Sequence, residues 1–424
     1  MIASLAVLPL VLLAIGTPVF LVFLTAAAVT IMFFLPVPAI ALQQVLFGGL
    51  DNYALLAIPF FVFAGELMST SGIAHRLINW AMAMVGRVPG SLGIATVGAS
   101  TAIGAISGSS VAAVAALGKT LYPKLVASGY GKERAGGLLA SSGAIDIVIP
   151  PSIAMILYGL AAEQSIPRLF MAGLLPGLLM AAMMAGFVLV VALRTGIPSE
   201  GRFEPKIAWQ ATTQAFWALL MPVFVLGGIY NGIFSPTEAG GFACVYAIVV
   251  ALLIYRTMTI GDVIRAAGNA AMLSGQVLII VAAASVITWM LTTHGVPQAI
   301  TAWIEALQVD AFTFLFAVNV MLLAIGCFLD PTSAILVFAP LLVPIAISLG
   351  IDPIHFGIIM TVNLAIGMFT PPFGLNIFVA QSVTGLPAHT LYRGVAPFVA
   401  VLILALLIIT YVPALSLTIA GPTG

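Results

Sequence analysis

A double proline, Pro150-Pro151, returns as Pro371-Pro372, and around it the chain repeats itself at a spacing of 221 residues. Pro123, Gly129, Gly136, Gly173 and Pro176 meet the same residue types at Pro344, Gly350, Gly357, Gly394 and Pro397. Gly72 and Trp80 pair with Gly295 and Trp303 at a spacing of 223, so the copies differ by two residues between these markers. Glycine and proline are common, at 41 and 26 of 424 residues, yet the matches keep register across some hundred positions, which chance does not explain. The chain therefore folds as two copies of one unit, each with a helix interrupted at the same place.

Hydrophobic residues are 62% of the chain and charged residues 6%, with a mean hydropathy of +1.24. Such a chain is an integral membrane protein with no stretch long enough for a soluble domain. Its 13 Lys and Arg are spread thinly and balanced by 13 Asp and Glu, which leaves no nucleic-acid surface. Cys244 and Cys327 sit in apolar runs and read as small buried hydrophobes, not as a disulfide or a metal site. Residues 1–35 lack the basic start and cleavage pattern of a signal peptide and are expected to be retained. As one helix they would be about 50 Å long against a ~30 Å hydrocarbon layer, and Gly16-Thr17-Pro18 is where they would divide. Whether this run crosses once or twice stays open.

Past a turn at 48–52, a membrane helix is expected over about 53–70 and an amphipathic stretch over 72–87 along the interface. Residues 91–106 and 111–125 form two apolar arms, each near or below spanning length, joined by Ser107-Gly108-Ser109-Ser110. This reads as a re-entrant hairpin, whose irregular backbone reaches membrane depth only where protein or a cavity encloses it. A polar loop with Lys132 and Arg134 leads to the helix broken at Pro150-Pro151 and then to a span over 169–193. Spans near 209–233 and 237–255 link the copies. The second copy repeats the order: a span near 269–291, an interfacial stretch at 297–307, a hairpin tipped by Asp330-Pro331-Thr332-Ser333, the second broken helix, and a last span over 393–415. The predicted organisation is an all-α membrane protein with an N-terminal scaffold segment (1–52), repeat 1 (53–193), a linker with two spans (194–268) and repeat 2 (269–418).

Three crossings per repeat and two in the linker invert the second copy relative to the first. Charge agrees. All of the 13 basic residues except Arg168 then share one side, Arg87 and Arg202 among them, and that side is cytoplasmic. The first hairpin enters from the cytoplasm and the second from outside.

A double proline withholds two N–H donors, so carbonyls just before Pro150 and Pro371 lose their helical partners at bilayer depth and become ligands for a hard cation. The half-helix after each pair offers unpaired N–H groups and a positive dipole end to an anionic group. Small polar side chains gather at the same places: Ser107, Ser109, Ser110, Ser141, Ser142 and Ser152 in one copy, Thr332, Ser333, Asn363, Thr370 and Asn376 in the other. A single Ser in a membrane helix is usually bonded to nearby backbone, but recurrence at the tips and breaks of both copies favours binding. Interrupted helices in paired repeats point to a secondary transporter whose substrate and ions bind where the copies meet.

The motifs themselves resemble a known family. They are Leu56-Ala-Ile-Pro-Phe-Phe-Val-Phe-Ala-Gly-Glu66, Ile106-Ser-Gly-Ser-Ser-Val111, Ile149-Pro-Pro-Ser-Ile-Ala-Met-Ile-Leu-Tyr158, Gly232-Ile-Phe-Ser-Pro-Thr-Glu238, Gly326-Cys-Phe-Leu-Asp330 and Asn363-Leu-Ala-Ile-Gly-Met-Phe-Thr-Pro-Pro-Phe-Gly-Leu-Asn376. Together they look like the large membrane subunit of tripartite ATP-independent periplasmic (TRAP) transporters, over about residues 5–417. The resemblance implies a multi-pass inner-membrane symporter driven by a cation gradient, usually Na⁺, with two or more ion sites and no organic cofactor. It implies organic acids handed over by a periplasmic binding protein, a small four-helix membrane subunit as partner, and an elevator-type fold in which hairpins and broken helices move against a scaffold. Two departures stand out: Ala113 where the family often has Asp after the first tip, and Asp146 where it commonly has a small residue.

About forty residues separate tip from double proline in each half, so the fold is expected to seat each tip on its own break. The first cation set is then Ser107, Ser109, Ser110, Ser142 and Gly143, and the second is Asp330, Thr332, Gly367 and Thr370. Asp146 joins them as a costly charge at depth, unless it pairs with a nearby Lys or faces water. Asp330 is a cation ligand or a tip-closing acceptor. Substrate contacts are expected from Ser109, Ser110, Pro150, Ser152, Thr332, Pro371 and Asn376, while Glu66 and Glu238 are structural. Gly118-Lys119-Thr120 lacks the opening glycine of a phosphate loop, because Ala113 stands there. An enzyme is excluded because His75, His294, His355 and His389 map to surfaces or interfacial arms, away from the Ser107–Ser110 cluster. A channel has no use for two broken helices at one midplane site. A sodium–dicarboxylate symporter working without a binding protein is the nearest alternative.

Overall fold

The computed structural model describes residues 7–9, 11–13, 15–34, 38–86, 88–199 and 204–421, whose regular structure is helical throughout. Parts of the 1–35 run, and Arg87 and Arg202 from the charge argument, lie outside the described residues. Seven helices are long and apolar enough to cross a membrane, or eight if one bent pair counts as a span.

The N-terminal run does divide at Gly16, where φ is +85°, and α1 (Val19–Phe34) follows. After α2 (Ala39–Gly48), repeat 1 comprises α3 (Ala57–Thr70), the amphipathic arm α4 (Ile73–Val85), hairpin 1 from α5 (Ser91–Ser107) and α6 (Ser110–Leu125), the broken pair α7 (Lys132–Val148) and α8 (Ile153–Ala161), and α9 (Ile166–Thr195). The linker holds α10 (Pro205–Tyr230) and α11 (Pro236–Val249). Repeat 2 follows the same order: α12 (Ile260–Thr293), arm α13 (Val296–Ala306), hairpin 2 from α14 (Ala311–Gly326) and α15 (Pro331–Ser348), the broken pair α16 (Pro353–Gly367) and α17 (Leu375–Thr384), and α18 (Ala388–Tyr411), with a short α19 (Ala414–Ala420). The matched glycines have matched work. Gly72 and Gly295 sit at φ +73° and +66° where each membrane helix turns into its arm, a left-handed conformation that side chains resist.

Both breaks fall where the prolines stop the helix. α7 and α8 meet at a bend of 45°, whereas residues 368–374 separate α16 from α17. Both proline pairs are cis. Between the copies, Tyr158 on α8 is fully buried and donates to the Pro353 carbonyl at 2.6 Å. α7 crosses α18 so closely that a Cβ on Gly137 would lie 2.1 Å from the Gly394 carbonyl oxygen, with backbone, not a flexible tip, in the way. Gly137→Val is therefore expected to destabilise by at least the ~1–3 kcal/mol of an overpacked core. A lower melting midpoint of the detergent-solubilised protein on size-exclusion would show it.

A buried polar chain ties repeat 2 together. His355 contacts Ser416 Oγ and the Thr410 carbonyl at 3.2 Å each, Asn319 donates to Thr410 Oγ1 at 3.0 Å, and Asn363 donates to Asn319 Oδ1 at 2.7 Å. His355, expected at a surface, is 2% exposed because these partners satisfy its ring inside the bundle. It remains far from nucleophilic use, since its contacts are this chain and not the Ser107–Ser110 tip. Glu66 accepts from Asn269 at 3.0 Å, joining α3 to α12, and Glu238 completes a capping box with Ser235. Cys244 and Cys327 are both free and buried.

Candidate functional site

Hairpin 1 closes on its own break. Gly108 turns with φ +57°, and Ser109 caps α6 by accepting from the Ala112 N–H at 3.5 Å. The Ser107 hydroxyl accepts from the Ser109 N–H at 3.3 Å. A Cβ on Gly108 would lie 2.6 Å from the Pro151 carbonyl oxygen, so the tip rests directly on the break. Beneath it Pro150, Pro151 and Ser152 are buried, and Ser152 caps α8 through the Met155 N–H. The prolines deprive the Asp146 and Ile147 carbonyls of their donors, and among the described residues no backbone N–H replaces them.

The centre of the site belongs to both copies. Asn376, in the first turn of α17, reaches into repeat 1, where its Nδ2 donates to Ser110 Oγ at 2.6 Å and to the Ala140 carbonyl at 3.2 Å. A Cβ on Gly143 would lie 2.6 Å from Ser110 Oγ and 3.0 Å from Asn376 Nδ2, so glycine makes the meeting possible. The Ala140 carbonyl can only accept, which fixes the orientation of the amide. Asn376 Oδ1 is then left buried with no partner. A bare buried acceptor of this kind costs about 1–3 kcal/mol until something satisfies it.

Asp146 lies to one side, on the face of α7 turned towards α5. It is fully buried; Oδ1 accepts from Ser100 Oγ at 2.9 Å, and Oδ2 has no partner. The Ser100 hydroxyl is also 3.0 Å from the Ser142 carbonyl. Neither a lysine pair nor a water-facing position is realised, for the one ion pair among the described residues is Arg265–Asp262. Ser141 and Ser142 turn their hydroxyls back to the Gly137 and Leu139 carbonyls of their own helix. Ser100 escaped the sequence reading, because a serine in an apolar arm carries no signal until Asp146 is packed against it.

The second break is built differently. Hairpin 2 is seated on it: a Cβ on Gly367 would lie 2.5 Å from Gly326 Cα, and the Gly374 N–H donates to the Cys327 carbonyl at 3.3 Å. The two carbonyls whose helical donors Pro371 and Pro372 replace, Gly367 and Met368, are not left free here. The Thr370 N–H donates to Gly367 O at 3.0 Å and the Asn376 N–H to Met368 O at 2.8 Å, because the longer break lets the chain double back on itself. Tyr392 likewise donates to the Pro372 carbonyl at 2.6 Å. Asp330 caps α15, its Oδ2 accepting from the Ser333 N–H at 3.2 Å and its Oδ1 from the Ser333 hydroxyl at 2.5 Å. Thr332 is half-buried beside it, and Thr370 bonds back to the Ile366 carbonyl. Among the described residues no hydrogen bond joins Asp330 or Thr332 to Gly367 or Thr370; the contacts that seat the hairpin are made by Gly326 and Cys327. Pro371 is half-buried, while Pro372 and Phe373 are exposed.

Among the described residues no three of His, Cys, Asp or Glu come together. The atoms on offer are hydroxyl, amide and backbone oxygens with one carboxylate at each tip or break, an oxygen-only set suited to a hard cation. The unpartnered Asn376 Oδ1 and Asp146 Oδ2 are buried oxygens that such an ion would satisfy.

Membrane spans around two hairpins and two broken helices are the layout of a secondary transporter. Residues 6–415 match the family model of the tripartite ATP-independent periplasmic transporter, DctM component. Over 399 residues the chain is 41% identical to the C4-dicarboxylate TRAP transporter large permease protein DctM of Pseudomonas aeruginosa, covering 94% of this chain and 93% of that protein. It is 39% identical over 414 residues to the isethionate TRAP transporter permease protein DctMQ of Oleidesulfovibrio alaskensis, covering 96% of this chain and 65% of that longer one. In fold it is similar to the YdaH transporter of Alcanivorax borkumensis, with a TM-score of 0.62, 15% identity, and coverage of 98% and 100% of the two chains. The chain belongs to the DctM family of TRAP transporter large permeases. It is a multi-pass protein of the bacterial inner membrane.

Proposed function

We propose that this large permease is the translocating subunit of a cation-driven uptake system for a small organic acid anion, with Na⁺ as the coupling ion. The observation that carries the reading is Asn376, a residue of the second break held by the first hairpin tip, with its Oδ1 bare at the meeting point. One side chain there answers to both copies, so an ion that engages it favours one arrangement of the two. Ser107, Ser109, Ser110, Ser142 and Gly143, with Asp146 beside them, serve one cation. Asp330, Thr332, Gly367 and Thr370 serve a second. The N-terminal ends of α8 and α17, with Pro150, Ser152, Pro371 and Asn376, face the anionic group of the substrate, where the positive end of the helix dipole favours negative charge.

The relatives named for C4-dicarboxylate and isethionate support small acids, whose carboxylates and sulfonate present similar anionic oxygens. The greater length of the DctMQ relative supports a small four-helix membrane subunit as partner. A periplasmic binding protein delivers the substrate, and the hairpins with the broken helices move as a body against α3 and α10–α12.

The test is uptake by proteoliposomes that hold the chain with its small subunit and are supplied with the loaded binding protein. Accumulation is expected to fall to background when the Na⁺ and proton gradients are both collapsed, and undiminished accumulation would exclude the proposal. Robust uptake by this chain alone would favour the symporter that needs no binding protein.

A further inference from the structure

A crevice of about 590 Å³ opens between the arm α4 and α10 on one side and α5 and α9 on the other. Leu77, Trp80, Ala102, Leu178 and Leu219 are among its walls, and its deep end reaches Ile106 and Ile149, which flank the hairpin 1 tip and the first break. Thr101 supplies its one hydroxyl, already spent on the Val97 carbonyl at 2.9 Å. Water would find few partners there, and an apolar hollow stays dry unless something apolar enters. The crevice is continuous with the lipid-facing surface: Leu178 is 46% exposed, and on the same helix Val190 and Leu193 are exposed too. The last turn of α9 carries exposed Arg194, a cation that suits a lipid phosphate on the side the basic residues mark as cytoplasmic. A helix with its side chains is ~10–12 Å across and rises ~5.4 Å per turn, so this volume takes less than two turns of one. A thin flexible chain fits where a helix does not.

We infer that the crevice holds an acyl chain of a phospholipid, wedged between α4 with α10 and the hairpin-bearing body. The occupant reaches the flank of hairpin 1, so the bilayer itself packs against the element that covers the first break.

Gly98 makes the inference testable, because it lines the crevice and a Cβ built on it meets nothing nearer than Ala81 Cβ at 3.9 Å. Gly98→Leu places its side chain in the crevice with a Cβ that meets no backbone, and Ala182→Phe occupies the space from α9. The full chain is reconstituted into vesicles containing a phosphatidylethanolamine with a diazirine in its acyl chain, irradiated, and its adducts mapped by mass spectrometry. Wild type is expected to carry adducts on the crevice faces of α4 and α5. Both variants lose them to background, while adducts at exposed Met272 and Ile279 of α12 persist. Wild-type crevice faces without adducts overturn the inference even if a variant fails to insert. Crevice adducts that survive both substitutions overturn it as well.

Discussion

Replacing Asn376 by leucine is expected to reduce cation-driven uptake by about tenfold or more while the protein still inserts and assembles. The two side chains share one branched heavy-atom skeleton, so the exchange removes polarity while keeping the branching, with methyl groups larger than the amide atoms they replace. It strips Ser110 Oγ and the Ala140 carbonyl of the amide that donates to them at 2.6 and 3.2 Å. It also removes a buried oxygen at the meeting of the two copies that is free to accept. Losing a buried hydrogen-bonded partner costs about 1–3 kcal/mol, and each ~1.4 kcal/mol of lost ion binding is tenfold in affinity. The check is the cation concentration for half-maximal uptake in proteoliposomes, with melting on size-exclusion run alongside. A lower melting point with an unchanged cation dependence would reduce Asn376 to a structural clasp between the repeats.

How far the sequence carried this reading differs from element to element. The hairpins and breaks were legible because proline and glycine act locally: Pro150-Pro151 stops α7 at Val148, and Gly108 turns the tip with a positive φ. The span limits were legible because an apolar run of given length has few places to go in a bilayer. What crosses between copies was not. Asn376 stands 266 positions from Ser110, and nothing in either segment announces that the amide of one donates to the hydroxyl of the other. Asp146 was visible as a charge in an apolar helix, but its partner Ser100 was not, since partnership there depends on how α5 lies against α7. The same holds for His355, which looks like a surface residue after Asp352-Pro353 and is instead enclosed by α18 and α19. The two breaks also look alike as letters. They differ in space because repeat 1 resumes its helix at Ile153, while repeat 2 runs on to Leu375 and uses the extra length to satisfy its own carbonyls.

Asp330→Asn separates the two roles that this residue holds at the tip of hairpin 2. As the cap of α15 it accepts from the Ser333 N–H and hydroxyl, and asparagine caps a helix about as well as aspartate does, whereas alanine loses about 1 kcal/mol. The Asn variant is therefore expected to insert, fold and melt like the wild type. The charge is another matter. Each carboxylate oxygen has more than one acceptor position, so the bonds to Ser333 leave room for a cation. A hard cation, shed of its water, is held mainly by charge and by the number of oxygens around it. With the Gly367 and Met368 carbonyls each already accepting one N–H, from Thr370 and Asn376, a cation seated there leans on Asp330 more than the first site leans on any one group. The expected outcome is a rise of about tenfold or more in the cation concentration for half-maximal uptake, a loss of ~1.4 kcal/mol or more in ion binding, with uptake recovering at high cation. Asp330→Ala should show the same rise with a lower melting point added. If Asp330→Asn keeps the wild-type cation dependence and only Asp330→Ala is impaired, the carboxylate closes the hairpin and the second cation site lies elsewhere.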